Sequence, residues 1–426
     1  MMKCAIYTLG CKVNQYESEA LGKALKERGV EVLFGLSVAD SYILNSCAVT
    51  NEAEHKSREI LAKMRKLNPD AKIYVCGCSS ELHTESFAER ENVIAVIGTE
   101  AKDKLVDLIM GDVDFLNKQD ICDKLYNDNY KIDGERIRSY LKIQDGCNNF
   151  CSYCIIPYLR GRERSREIES IIEEYSRISK VSKEVVLVGI NLSHYGSEKN
   201  SGEDLTRVIE ELSRFKNVRL RISSLEQDAI NERLLNALKK HQSFCPSFHI
   251  PLQSGSEEVL RKMNRHYGIN EYKKAIKMIR DVFPNASIST DLIVGFPTET
   301  EEDFKECLLN VEEIGFSSMH IFPFSKREGT ACDRYNQLDG KVVKRRIEEM
   351  KKVADKSREG YILKQIGLAD EVLVEEEADG EFIGYTKNYL KCYLNSKSDI
   401  KNEIIKVKIV EKYKNGVRGE IVNEWN

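Results

Sequence analysis

IQDGCNNFCSYCIIP, residues 143–157, puts Cys147, Cys151 and Cys154 at C-x3-C-x2-C spacing in a loop that also carries Gly146, Asn148 and Asn149. The loop follows a β-rich run, Tyr140–Gln144. Core packing does not place three thiols this close together. Soft sulfur donors at short spacing select zinc or an iron–sulfur cluster. A structural zinc site needs a fourth Cys or His nearby, and this stretch has none. Three ligands on a four-iron cluster leave one iron open, which is what a cluster that binds a substrate requires.

Around that loop, apolar runs alternate with helical stretches at least six times over residues 137–362. The strands read as Tyr140–Gln144, Val185–Ile190, Val218–Ile222, Phe248–Leu252, Ser287–Val294 and Ser318–Phe322. Six β/α units predict a partial parallel barrel, short of the eight that close one, with the cysteine loop at the carboxyl end of its first strand. Residues 1–112 show the same rhythm, with strands at Ala5–Leu9, Ser41–Asn45, Ile73–Cys76 and Val93–Ile97. A helix from Asn51 to Asn68 is stopped by Pro69. This predicts an open parallel α/β domain. Residues 113–136, rich in Asp, Asn and Lys, read as a linker. Residues 364–426 change to β-rich runs with turns at Asp379-Gly380 and Asn415-Gly416, the pattern of a small antiparallel barrel. The fold class is therefore α/β, in three parts.

Composition narrows the function. With 41% hydrophobic and 31% charged residues the chain is globular, and a net charge of −4 confines any nucleic-acid surface to a local patch. No apolar run reaches the roughly 18 residues needed to span a bilayer, and the first residues lack a signal-peptide core. A cytoplasmic protein that avoids the membrane is expected. A reducing compartment disfavours disulfides among the 13 cysteines, so clustered cysteines point to metal.

A second set, Cys11, Cys47 and Cys78, is dispersed in sequence, but each follows a predicted parallel strand. Loops leaving the carboxyl ends of adjacent parallel strands meet in one crevice, so these three thiols either hold a second cluster or are buried free cysteines. Cys76 still lies inside its strand run, whereas Cys78 is past Gly77. Cys4, Cys122, Cys245, Cys307, Cys332 and Cys392 have no partners and read as buried or incidental.

Other polar residues gather at the same predicted mouth. Ser223, Ser224 and Glu226 follow one strand, Gln253, Ser254 and Gly255 another, and the turn at Gly295-Phe-Pro297 a third. They are placed to touch a ligand, or to cap helices, with Ser254 or Ser256 as N-cap. Gly295 would let backbone approach a ligand closely. Arg160, Arg162, Arg164 and Arg166 recur at every second position, which suits phosphate contacts; Glu163 and Glu167 between them suit a salt-bridged surface equally. His55, His83, His194 and His320 show no metal spacing and receive no role. In the carboxyl-terminal part, residues 370–381 hold seven acids and no bases, and residues 387–418 hold nine Lys or Arg against three acids, with Tyr385, Tyr389 and Tyr393 nearby. Bases among aromatics fit an RNA surface.

CxxxCxΦC, with Tyr153 before the last cysteine, resembles the radical S-adenosylmethionine (SAM) signature. TLGCKVNQYES, NSCAVT, RISSLE, HIPLQSGS, STDLIVGFPTET, MHIFPFSKREGT and GYTKNYLKCY extend the resemblance over nearly the whole chain, to the methylthiotransferases and within them to the threonylcarbamoyladenosine tRNA branch. The resemblance implies two 4Fe–4S clusters, one on Cys147, Cys151 and Cys154 that binds SAM, and an auxiliary one on Cys11, Cys47 and Cys78. It selects Cys78 over Cys76. It implies that Tyr153, Ser224, Glu226, Gln253, Ser254, Ile293 and Gly295 lie around SAM, with Arg160 and Arg162 expected to meet the substrate. It implies a TRAM-type RNA-binding barrel at residues 364–426 and a partner tRNA, read at the anticodon loop of ANN-decoding species. A reductant such as flavodoxin or ferredoxin, and methylthiolation of C2 of the adenine at position 37, complete the picture. An unactivated aromatic C–H has no acidic proton for a general base to remove, which is the reason for radical chemistry. The same chemistry on isopentenyladenosine or on a ribosomal-protein aspartate is the nearest alternative.

Overall fold

The structure is a computed structural model that describes residues 1–99, 102–112, 131–134, 136–199 and 201–422. The expected linker at 113–136, and Cys122 within it, fall largely outside the described residues.

The first sheet is parallel throughout, in the order β2-β1-β3-β4-β5, built from β1 (Lys3–Thr8), β2 (Glu31–Phe34), β3 (Ser41–Ser46), β4 (Lys72–Gly77) and β5 (Val93–Val96). The sequence reading missed β2, a short edge strand whose apolar run, Val32-Leu33-Phe34, is only three residues long and half-buried to exposed. Its neighbours are α1 (Lys12–Glu27), α2 (Asn51–Leu67), the short α3 (Cys78–Leu82) and α4 (Thr84–Ala88), and α5 (Lys102–Met110). Thr50 caps α2 through Ala53 N, and two acids in its first turn and two bases in its last complement the helix dipole.

The central sheet has six parallel strands in sequence order. β6 (Arg138–Lys142), β9 (Glu184–Val188) and β10 (Arg219–Ile222) form one half; β11 (Ser247–His249), β12 (Ser287–Val294) and β13 (Ser318–Pro323) form the other. Isolated parallel bridges Leu220↔Phe244 and Ser224↔His249 join the halves. β7 (Gln144–Asp145) and β8 (Arg164–Ser165) make a small antiparallel pair beside the cysteine loop. The helices α6 (Ile156–Arg160), α7 (Ile168–Ile178), α8 (Leu205–Leu212), α9 (Glu232–Lys240), α10 (Glu257–Lys262), α11 (Ile269–Val282) and α12 (Glu301–Ile314) accompany the strands. Apolar faces on α7, α8, α9 and α11 bury into one continuous core with the sheet.

The sheet is open between β6 and β13. The amino-terminal domain reaches both edges: α1 packs on β6, and Glu54 of α2 receives Arg327, just past β13, at 2.6 Å. A long helix, α13 (Gly340–Gln365), lies against β12 and β13 and leads into a closed barrel of β14 (Ala369–Ala378), β15 (Glu381–Thr386), β16 (Lys391–Leu394), β17 (Ile404–Tyr413) and β18 (Gly416–Ile421). Four of its seams are antiparallel, and β16 pairs with β18 in parallel.

Candidate functional site: two thiol trios and the chamber beneath them

β1, β3 and β4 are neighbours, and Cys11, Cys47 and Cys78 leave their carboxyl ends as the crevice argument requires. The three thiols are close enough for Cys47 to feel the charges of both Cys78 and Cys11. Gly10 fits its place only without a side chain: its φ is +93° and a Cβ would lie 2.8 Å from Cys47 Sγ. Cys76 is fully buried within β4, in an apolar cluster with Cys4, Ile6 and Ile43, with Cys78 still within electrostatic reach.

The second trio sits on a tightly held loop. Cys147 N donates to Gly161 O at 3.1 Å, and Gly146, at φ +71°, presses so closely on Arg162 that a Cβ would meet its carbonyl oxygen at 1.8 Å. Ser152 ties the loop to α10 by donating its N–H to Met263 O and its hydroxyl to Lys262 O. Cys154 and Cys147 each lie within electrostatic reach of Cys151. The two trios are neighbours, since Cys78 packs in one small apolar cluster with Ala48, Ile155 and Leu159.

Several groups that sequence reasoning missed hold these thiols. Arg265 is buried and donates to Cys151 Sγ at 3.3 Å while pairing with Glu226 and lying over Tyr267. Asn191 reaches Cys147 Sγ at 3.9 Å and Glu163 at 3.2 Å. Glu163 and Asp228 clamp His194, and these hydrogen bonds, Asp228 first, push its pKa up to about 10. No spacing in the sequence marks Arg265 or His194, because their partners come from three separate β/α loops.

The arginine expectation needs correction. Arg160 is 1% exposed, so it offers nothing to a substrate. Its guanidinium donates to Glu17 at 3.0 Å, Asp145 at 3.1 Å and Asn14 at 2.6 Å. Arg164 is buried against Asp145 and Arg166 against Glu174. The salt-bridged surface with Glu163 and Glu167 is not found either: the three arginines pair in the interior with Glu17, Asp145 and Glu174, while Glu163 holds His194 and Glu167 holds Lys199. Arg162 remains exposed, 4.5 Å above the Phe150 ring. Ser254 is also corrected: it is 1% exposed, and its hydroxyl accepts from Ser256 N, while Ser256 caps α10. Gly295 is φ +79° with Val343 where its Cβ would be, and its N–H goes to Glu299, so a side chain there would strike α13. Tyr153 and Ile293 pack in one cluster with Phe296. Ser224 and Gln253 are half-buried at strand ends, with Gln253 in a left-handed backbone (φ 67°) bridging to Leu292. Cys4, Cys245, Cys307, Cys332 and Cys392 are buried, as expected.

The donor chemistry fits iron–sulfur clusters. All six thiols are free. Burial pushes Cys147 and Cys154 up to about 12 and Cys47 to about 11, so they stay protonated unless a cation draws them to thiolate. Beside Cys78, the two carboxylates Glu17 and Asp145 face four cations, Lys102, Lys142, Arg160 and Arg164. A buried excess of positive charge suits an anionic thiolate-ligated group next to it.

Two descriptions of known families match the chain: the radical SAM superfamily over residues 141–310, and an uncharacterized family, UPF0004, over residues 3–98. The threonylcarbamoyladenosine tRNA methylthiotransferase MtaB of Bacillus subtilis is 34% identical, over 96% of this chain and 94% of its own. That of Thermotoga maritima is 38% identical, over 92% and 91%. The chain belongs to the radical SAM methylthiotransferases. Within them, a tRNA-2-methylthio-N(6)-dimethylallyladenosine synthase of Dictyoglomus thermophilum is also 34% identical, over 100% and 99%. The cofactors of a radical SAM methylthiotransferase are SAM and 4Fe–4S clusters. Among solved structures, the radical SAM methyltransferase TsrM from Kitasatospora setae aligns with TM-score 0.55 at 14% identity, covering 78% of this chain and 77% of that one, which is a likeness of fold.

Beneath the trios lies a cavity of about 380 Å³, inside the six-stranded sheet and floored by the carboxyl-terminal barrel. Arg138, Arg221, His249 and His320 line it from the strands, Lys12 from the start of α1, and Tyr385 and Tyr389 from the barrel. His249, Asp291 and His320, given no joint role by their spacing in sequence, come together with one ligand atom each inside 4.8 Å.

Proposed function

We propose that the enzyme converts N6-threonylcarbamoyladenosine at position 37 of tRNA to its 2-methylthio derivative, in the cytoplasm, drawing electrons from a small reductant such as flavodoxin or ferredoxin. The observation that carries this reading is the juxtaposition of two three-thiol sets across the cluster of Ala48, Cys78, Ile155 and Leu159, above a polar chamber. Cys147, Cys151 and Cys154 hold the SAM-binding cluster, and Cys11, Cys47 and Cys78 the auxiliary one. Bound there, the clusters supply the electron that cleaves SAM and a place for the sulfur to be transferred. The protein's own part is positional. Arg265 fixes Cys151 and Glu226 relative to each other; Tyr153, Ser224, Gln253 and Ile293 shape the SAM side of the mouth; Arg162, exposed beside it, meets RNA. The domain division 1–112, 137–362 and 364–426 follows this assignment, with the last part binding tRNA.

The decisive experiment supplies anaerobically reconstituted enzyme with SAM, reductant and one of two tRNAs, bearing threonylcarbamoyladenosine or isopentenyladenosine, and analyses nucleosides by mass spectrometry. Methylthiolation of the first and little of the second is expected. Equal activity, or preference for the apolar substituent, overturns the substrate while leaving the radical chemistry in place.

A further inference from the structure

The cavity inside the central sheet carries more positive charge than it neutralises. Arg138 donates to Glu184 and Glu375, each at 2.6 Å, and Arg221 donates Nε to Glu184 at 3.0 Å. Two guanidiniums thus meet two carboxylates. Asp291 is shared by His249 at 3.3 Å and His320 at 3.1 Å. Lys12 is left over: it is exposed, and among the described residues it has no hydrogen-bond or ion-pair partner, although it lies within electrostatic reach of Arg221, Arg138, His320, Cys11 and Glu184, the last already held by both arginines. Arg221 is 4% exposed, lines the cavity, and its Nη1 has no hydrogen-bond partner. A buried guanidinium N–H left unmatched is costly, and Tyr389 stacked 4.3 Å from the Arg221 guanidinium fixes that fork in place. Hydroxyls of Ser247, Ser287, Ser289 and Ser318 complete a polar wall. An unpaired cation and a free, immobilised donor in one half-enclosed cavity call for a small anion with hydrogen-bonding atoms beside it.

We propose that this cavity is the subsite for the carboxylate-bearing substituent of the substrate nucleoside, with Lys12 and Arg221 Nη1 holding the carboxylate and the serine hydroxyls meeting its polar atoms. The proposal rests on the substrate reading above and adds the residues that select for it. It moves that role from Arg160, which is buried in its own ion pairs, to Lys12, whose neighbour Cys11 belongs to the auxiliary trio. A site built this way rejects an apolar isopentenyl group by leaving its donors unpaired.

The test measures binding of the reconstituted holoenzyme to two otherwise identical anticodon stem-loops, one with threonylcarbamoyladenosine and one with unmodified adenosine. Wild type is expected to prefer the modified loop by about tenfold, the scale of one charge-assisted hydrogen bond. Lys12→Met should abolish the preference without weakening the unmodified loop, and Lys12→Arg should restore most of it; iron content and thermal midpoint are checked in both. Because Lys12 has no partner among the described residues to strand, loss of fold is not expected. If Lys12→Met weakens both loops equally, the cavity holds a backbone phosphate and the proposal is wrong. If it keeps the preference while wild type methylthiolates the threonylcarbamoyl tRNA, the proposal fails and the substrate reading stands. No preference in wild type, with equal turnover of isopentenyl tRNA, removes the substrate reading itself.

Discussion

Arg160 and Arg265 are buried guanidiniums, each set against a thiol of a different trio. Their burial explains why neither yields to sequence reading: an arginine every second residue looks like a surface stripe, and only the fold shows that Glu17, from the first domain, has come to meet Arg160. Removing one partner of a buried ion pair typically costs about 3 kcal/mol or more. Arg160→Met is therefore expected to lower the thermal midpoint clearly, and Arg160→Lys to recover only part of the loss, because an ammonium cannot span Glu17, Asp145 and Asn14 together. His194 gives a pH signature. Its folded pKa is raised, to about 10, so its contribution to stability is complete below the unfolded value of about 6.5 and is lost as pH rises through about 10. NMR should find this imidazole still protonated at about pH 8, and His194→Gln should flatten the alkaline limb of the stability profile relative to wild type.

At the scale of elements, the cysteine loop and the strand ends behave as their sequences say. The spacing of Cys147, Cys151 and Cys154 was readable because a loop imposes proximity directly. Cys11, Cys47 and Cys78 needed the sheet order, which alternation alone does not give; β1, β3 and β4 lie side by side only because two crossovers place them so. Reconstituted protein should carry about eight irons. Replacing either trio by alanine should leave about half, with SAM cleavage lost only from the Cys147, Cys151, Cys154 variant; loss of all iron from either would mean one shared site. Gly146→Ala should resemble the latter variant, since neither the left-handed backbone nor the Arg162 carbonyl leaves room for a methyl group.

Across the whole molecule, part of the acidic run in the carboxyl-terminal barrel has a physical cause, its contact with the central domain. Two of the acids face the central domain, where Glu375 pairs with Arg138 and the Glu371 carboxylate lies 3.8 Å from Arg219; Glu376, Glu377 and Asp379 are exposed, and Glu381 pairs with Lys414 and Arg418 of the barrel itself. Lys397, Lys401 and Lys408 are left exposed. Affinity for tRNA should fall with salt, and replacing these three lysines should make the log–log slope shallower by about one for each phosphate that is no longer neutralised; an unchanged slope would remove them from the RNA surface. That this segment is a barrel with a charge asymmetry was legible in its residues. What Glu371 and Glu375 bind was not, because Arg219 and Arg138 lie on strands of another sheet. The docking also fixes an order of events during synthesis. Strands β6 to β13 leave the ribosome before β14 begins, and domains tend to fold as they emerge. Until the later strands arrive, Arg138 has Glu184 but lacks Glu375, and Arg221 lacks the ring of Tyr389. A nascent chain can thus complete both thiol trios while its chamber still stands open below, and the floor is the last part of that cavity to come into existence.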